Sequence, residues 1–156
     1  MANLYRAAVV GLGRIGWRVG ADPRRPKPAS HVEAWKSALR ADLVAVCDTD
    51  ESRYREMVNM ATSPMLCVYR NIDAMLKLDG VDIISVATPS DQHRVIVEAC
   101  AAAKTPLIVC EKPLASSSKD AQAMVEACQA SGTILLVNHG RRFHPMIQSV
   151  KAELDK

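Results

Sequence analysis

Val9-Val10-Gly11-Leu12-Gly13-Arg14-Ile15-Gly16 decides the fold: a short apolar run enters Gly-x-Gly-x-x-Gly and leads into residues of helical pattern. Gly11 permits a tight turn out of a strand, Gly13 removes the side chain that would block a pyrophosphate, and Gly16 lets a helix lie close on a sheet. A helix starting at Arg14 would turn its free N–H groups and positive dipole end toward the phosphates. A plain glycine-rich turn is the competing reading, so the strand, helix and acidic residue around the motif must decide.

Outward from that turn, strand and helix alternate. Residues 4–10 read as the first strand. The helix from Arg14 cannot continue through Asp22-Pro23-Arg24-Arg25-Pro26-Lys27-Pro28, where three prolines force a loop. Its basic cluster, Arg24, Arg25 and Lys27, lacks interleaved aromatics and reads as a solvated loop in preference to a phosphate or nucleic-acid patch. Helical spacing resumes at Ser30, an N-cap with Glu33 in the capping-box position, and Val32, Trp35, Ala38 and Leu39 mark one face.

Leu43-Val44-Ala45-Val46-Cys47 is an unbroken apolar run, which suits a buried parallel strand, and it ends at Asp48. An acid at that point accepts hydrogen bonds from the adenosine ribose of a dinucleotide and repels the 2′-phosphate of NADP. Thr49 and Asp50 supply no offsetting cation and the nearest is Arg53, so NAD is favoured over NADP. Asp48 follows Gly16 by 32 positions, against about 20 in the usual fingerprint. The proline-rich insertion accounts for the excess. Asp48 could instead cap the next helix, Asp50 to Ala61, although Thr49 or Asp50 would serve there as well.

Further strands are expected at Leu66–Tyr69, Asp82–Ala87, Leu107–Cys110 and Ile134–Val137. The helices between them run over Ile72, Met75 and Leu76, with Gly80 as the stop; from a Ser90 or Asp91 cap to Ala103; and from Lys119 to Ala130, leading through Gly132. Met146, Ile147, Val150 and Leu154 begin a last amphipathic helix. The fold class predicted is α/β: a Rossmann-type, doubly wound parallel sheet of about six strands with helices on both faces. Ligands of such sheets gather beyond the carboxyl ends of the strands. The glycine turn, Asp48, Thr88 to His93, Glu111-Lys112 and Asn138 to Arg142 all fall there.

Composition is that of one soluble globular domain: 156 residues, 49% hydrophobic and 24% charged. A net charge of +3, scattered over the chain, makes no electrostatic case for nucleic acid or an anionic membrane. Five cysteines without a C-x-x-C pair read as buried reduced thiols, not as a disulfide framework or zinc site. The opening residues lack a signal-peptide core and no run approaches transmembrane length, so a cytoplasmic location is the default. His139 and His144 are five apart, the wrong spacing for paired helix ligands, and no metal is expected.

Five segments in order, Gly11 to Gly16, Leu43 to Asp48, Val86-Ala87-Thr88-Pro89-x-x-x-His93, Glu111-Lys112-Pro113 and Arg141-Arg142-Phe143-x-Pro145, resemble the Gfo/Idh/MocA oxidoreductases. The resemblance spans nearly the whole chain. It implies an NAD(P)-binding Rossmann domain over 1–145, with 146–156 starting a crossover helix toward a C-terminal substrate domain that supplies the general base and mediates homo-oligomers. It implies hydride transfer between the nicotinamide and a sugar, polyol or related hydroxyl compound. By resemblance, Gly11, Gly13 and Ile15 line the pyrophosphate, Asp48 the ribose, and Thr88 and Pro89 the nicotinamide half, with His93 beside them or packing its own helix; Arg14 and Ala87 also bind the cofactor. Lys112 is the catalytic candidate, Glu111 faces the cofactor and Pro113 fixes the turn. Asn138 binds the cofactor, and Arg142 contacts cofactor or substrate or ties the interdomain connection. The proline insertion departs from the family pattern around His31. A non-catalytic NAD(P)-binding regulatory or interaction module is the alternative function.

Overall fold

The structure, a computed structural model, describes residues 4–60 and 65–156. Six strands form one sheet: β1 (Tyr5–Val10), β2 (Ala41–Cys47), β3 (Cys67–Tyr69), β4 (Ile83–Val86), β5 (Leu107–Glu111) and β6 (Ile134–Asn138). They lie in the order β3-β2-β1-β4-β5-β6 and every pairing is parallel. The order reverses between β1 and β4, the switch point where a crevice opens beyond the strand ends.

Helices α1 (His31–Ser37), α2 (Glu51–Met60), α3 (Ile72–Met75), α4 (His93–Ala102), α5 (Ser118–Ser131) and α6 (Pro145–Leu154) complete the chain. Side chains alternate across a strand, and the core divides accordingly. Ala8 and Val10 pack with Val97 and Cys100 of α4 and Met124 and Cys128 of α5. Val9 and Val46 pack with Val32 of α1 and Met57 of α2. Each valine or methionine among them contributes about 1.5–3 kcal/mol when removed wholly from water, before entropy is counted.

The first crossover differs from the expected one. No α-helix starts at Arg14. A single turn closes with Trp17 N on Gly13 O (3.1 Å), tightens into a 3-10 helix at Arg18–Ala21, and gives way to the proline loop. Helical bonding then resumes across the loop: His31 N donates to Ile15 O (3.1 Å) and Val32 N to Gly16 O (3.0 Å). Those partners are sixteen residues apart, where an uninterrupted helix has four. The surplus of twelve matches the surplus between Gly16 and Asp48. The insertion is a loop spliced into one helix, which leaves the ends of that helix in their ordinary relation.

Ser30 caps α1, accepting from Glu33 N (3.2 Å). Glu33 reaches back to Ala29 N (2.8 Å), one residue before the position a capping box uses. The helix ends at Ser37, so Leu39 is 95% exposed and leaves the expected apolar face. Trp35 stays on it and its indole donates to Ser85 Oγ of β4 (2.9 Å), which pins α1 to the sheet.

Other boundaries shift for local reasons. Asp50, not Asp48, caps α2 by accepting from Arg53 N (3.0 Å), and Ala61, the expected last residue of that helix, lies outside the described residues. Asn71 caps α3, which stops at Met75; Gly80, at φ +71°, serves the turn into β4 instead of that stop. Neither Ser90 nor Asp91 caps α4, because a turn uses the backbone there: Gln92 N donates to Pro89 O (3.0 Å). Gly132, at φ +75°, ends α5 as the left-handed cap.

Four cysteines are buried and Cys67, on the edge strand β3, is exposed, contrary to the uniform burial expected. Burial pushes the thiols of Cys47, Cys100 and Cys110 up to about 12, so they behave as inert core groups. On the other edge, Ile134 and Leu136 of β6 and Met146, Ile147, Val150 and Leu154 of α6 are exposed. Among the described residues no helix is long and apolar enough to cross a membrane.

Candidate functional site

A cleft of about 1030 Å³ runs along the carboxyl ends of the strands. Its floor is the glycine turn. Gly11 holds φ +95°, and a Cβ there would stand 2.7 Å from the Ala87 carbonyl, so glycine is required both by conformation and by the closeness of β4. Gly16 is required by contact alone, since a Cβ would fall 1.8 Å from Gly11 O. Ala87, just past β4, would stand 3.4 Å from the same Cβ, so this glycine also lets the helical turn lie close on the ends of β1 and β4. Gly13 is different. A Cβ would meet nothing nearer than Arg53 Nη1 at 4.0 Å, and Gly13 lines the cleft, so the space it leaves is space for a ligand.

Among the described residues the backbone amides of Gly13, Arg14, Ile15 and Gly16 find no acceptor in the protein. They are first-turn donors with nothing to bind, the arrangement that takes an oxyanion. Thr88 Oγ1 is buried and likewise unpartnered, in a residue that lines the same cleft. A dinucleotide fits these groups: oxyanions for the amides, a polar partner for Thr88 and room above Gly13.

Asp48 stands at the end of β2, 7% exposed. Its Oδ2 accepts from Leu12 N (2.6 Å), and from Arg53 Nη1 at 3.4 Å, while Oδ1 accepts from Asp50 N (2.8 Å). The carboxylate is thereby locked beside the glycine turn.

Toward β5 the cleft is bounded by Ala87, Thr88 and Pro89 on one side and by Glu111 and Lys112 on the other. Lys112 is exposed, and its bond to Pro113 is cis. Glu111 is 8% exposed. Its Oε1 accepts from His31 Nε2 (3.0 Å) and Asn138 Nδ2 (2.5 Å), and its Oε2 from the Lys112 amide (3.3 Å). Burial alone would push this carboxyl up; the hydrogen bonds from His31 and Asn138 outweigh it and hold the carboxyl below the ordinary glutamate range.

Ten of the residues expected at the site therefore share one cleft: Gly11, Gly13, Arg14, Ile15 and Asp48, with Ala87, Thr88, Pro89, Glu111 and Lys112. Three stand off its lining. His93 is 1% exposed, its Nε2 2.9 Å from Thr88 O and its Nδ1 3.1 and 3.0 Å from Pro113 O and Leu114 O, so it clasps two loops behind the cleft. Asn138 turns its amide to Glu111. Arg142 is exposed in the 3-10 turn Gly140–Phe143.

The family model for the Gfo/Idh/MocA oxidoreductases, described as the NAD-binding Rossmann fold of that family, matches residues 5–139. The chain belongs to the Gfo/Idh/MocA family. It is 38% identical over 121 residues to the D-apiose dehydrogenase of Paraburkholderia graminis, covering 78% of this chain and 32% of that one. It is 30% identical over 150 residues to the myo-inositol 2-dehydrogenase of Thermotoga maritima, covering 96% of this chain and 40% of that one. A crystallised oxidoreductase from Agrobacterium radiobacter, in complex with NAD+, L-tartaric acid and magnesium, superposes with a TM-score of 0.80 at 31% identity, over 97% of this chain and 40% of that one. The chain thus spans a third to two fifths of the length of these relatives.

Two features of this Gfo/Idh/MocA chain escape a reading of its sequence. His31 meets Glu111 across 80 positions, and nothing local announces the pair. Arg25, grouped above with a solvated loop, lines the cleft, whereas its neighbour Arg24 has a side chain 91% exposed.

Proposed function

We propose that this chain is the cofactor-binding part of an NAD-dependent dehydrogenase acting on a sugar, polyol or related hydroxyl compound. The observation that carries the reading is the row of unpaired amides at 13–16 beside the locked Asp48 carboxylate. NAD is favoured over NADP because a 2′-phosphate would meet Asp48 and Asp50, while Arg53 is already engaged with both. NAD, when bound, accepts or returns a hydride at its nicotinamide. Lys112, on the cleft wall at the end of β5, is the catalytic residue: its ammonium stabilises the negative charge that develops on the substrate oxygen. The activities of the relatives, on apiose and inositol, support the substrate class. Their greater length supports a general base and most of the substrate pocket on a further domain. The exposed apolar faces of β6 and α6 are surfaces such a domain would cover.

Calorimetric titration with NADH tests the cofactor half of this reading, and the absence of any binding would sink it. In a chain extended to the length of its relatives, Lys112→Ala is expected to reduce turnover by at least about a hundredfold while NADH affinity stays within about threefold. Equal losses in both would remove Lys112 from the chemistry.

A further inference from the structure

The proline-rich excursion is a built loop. Both of its ends pack on one side chain, Glu33 of α1: a Cβ on Gly20 would stand 2.7 Å from Glu33 Cδ, Lys27 Nζ donates to Gly20 O and to Glu33 Oε1 (3.1 Å), and Ala29 N donates to Glu33 Oε2 (2.8 Å). Compact loops whose ends meet in this way frequently carry function. Within the loop Asp22 turns the chain, its side chain accepting from Arg24 N (3.0 Å) and its carbonyl from Arg25 N (3.3 Å). Of the two arginines, Arg24 faces solvent and Arg25 lines the cleft. Ser30 closes the loop and His31 follows at once, its Nε2 3.0 Å from Glu111 Oε1. The loop therefore springs from the Glu111–Lys112 end of the cleft.

Arg25 is short of a partner there. Among the described residues its one ion pair, to Asp22 Oδ2, is 3.9 Å long, and its side chain is 51% exposed. The carboxylates lining the cleft are already engaged, Asp48 and Asp50 with Arg53 and Glu111 with His31. A pyrophosphate has donors of its own in the amides of residues 13–16. A guanidinium left over beside Lys112 matches one planar carboxylate.

We propose that Arg25 binds a carboxylate of the substrate, so that the hydroxyl compound this protein prefers is a hydroxy acid, such as an aldonate, and not a neutral polyol. The inference rests on the dehydrogenase reading given above and narrows its substrate class. The loop is where this chain departs from the family pattern, so a preference carried by it is not tied to that of the relatives. The carboxylate is held, not altered, in the reaction.

Turnover of the chain extended to the length of its relatives tests this, with short aldonates as probes, each against the alditol of the same carbon skeleton. The unmutated protein is expected to favour the acid in kcat/KM by about tenfold, the worth of a hydrogen bond between charged groups at a half-exposed site. Arg25→Ala should erase that preference through KM, Arg25→Lys should restore part of it, and Arg25→Glu should invert it, because like charges repel. Arg24→Ala, on the outward neighbour, should leave it unchanged. A loop that only supported the fold would not separate alanine from glutamate, or acid from alcohol. NADH affinity, by calorimetry, should stay within about twofold in Arg25→Ala. A preference for the alditol in the unmutated protein, or one for the acid that survives Arg25→Ala, would overturn the inference and leave the dehydrogenase reading standing. A loss of NADH affinity in Arg25→Ala as large as the loss in acid turnover would overturn it too, by giving Arg25 to the cofactor. If NADH binds but neither acids nor alcohols are oxidised, the substrate reading itself fails and takes this inference with it.

Discussion

Two carboxylates anchor the two ends of the cleft, and they are held in opposite ways. Asp48 is fixed largely by main-chain amides, those of Leu12 and Asp50, one on the adjoining strand's turn and one two residues on. Glu111 is fixed by side chains from two other elements, 80 and 27 residues away. An anchor built on backbone survives substitution around it, because every residue type except proline supplies an amide N–H. An anchor built on side chains depends on two particular residues and on whatever holds their elements in register.

The largest expected effect follows from the first anchor. Asp48→Ala should weaken NADH and ADP alike by about a hundredfold, two charge-assisted hydrogen bonds' worth, as measured by calorimetry. Retention of ADP binding would break the assignment of that end to adenosine. A smaller effect follows from the second. Trp35→Phe removes the indole donor to Ser85, which docks the helix carrying His31. It should cost about 1 kcal/mol in urea unfolding and loosen NADH more than ADP. Acid titration sharpens the same contrast. The Glu111 carboxyl is held below the ordinary value of 4.5, so its network stabilises the fold above that value and the contribution is lost as pH falls through the lower, folded value. In Glu111→Gln the melting temperature should therefore decline less steeply over that acid range. The smallest effect is expected where the sequence departs most from pattern. Excising residues 19–30 joins Arg18 to His31 and should yield one continuous helix, with more helical signal in circular dichroism. The melting temperature should stay within about 5 °C, and NADH affinity should be preserved, because His31 and Val32 are held by the carbonyls of Ile15 and Gly16 and not by the loop.

How far the sequence could be read follows the same division. The order of strands and helices, the glycine turn and Asp48 were legible because each depends on a short run: an apolar strand, a turn that only glycine makes, an acid at the strand end. The end of α5 was legible for the same reason, in Gly132. The prolines marked the loop at residues 22–28, but not that helical bonding resumes beyond it, since that requires knowing that His31 returns to Ile15. His93 illustrates a type that reads two ways: a lone histidine after Thr-Pro suits a cofactor contact or a packed clasp, and its three carbonyl neighbours decide for the clasp. Asn138 was recognised as polar at a strand end, yet its partner was not, because a pairing between side chains on adjacent strands depends on register, here Glu111 opposite Asn138. Arg25 was missed for want of any periodicity in a proline-rich segment.

The spliced helix has a consequence for how such a protein can change. Because the chain leaves at one turn and re-enters at the next with the same carbonyls receiving it, the length and content of the excursion are uncoupled from the machinery beneath. Arg25 and its neighbours form an editable brim over a basin whose geometry is set elsewhere. Ligand preference at the mouth can be rewritten there, by graft or by drift, without retuning the floor.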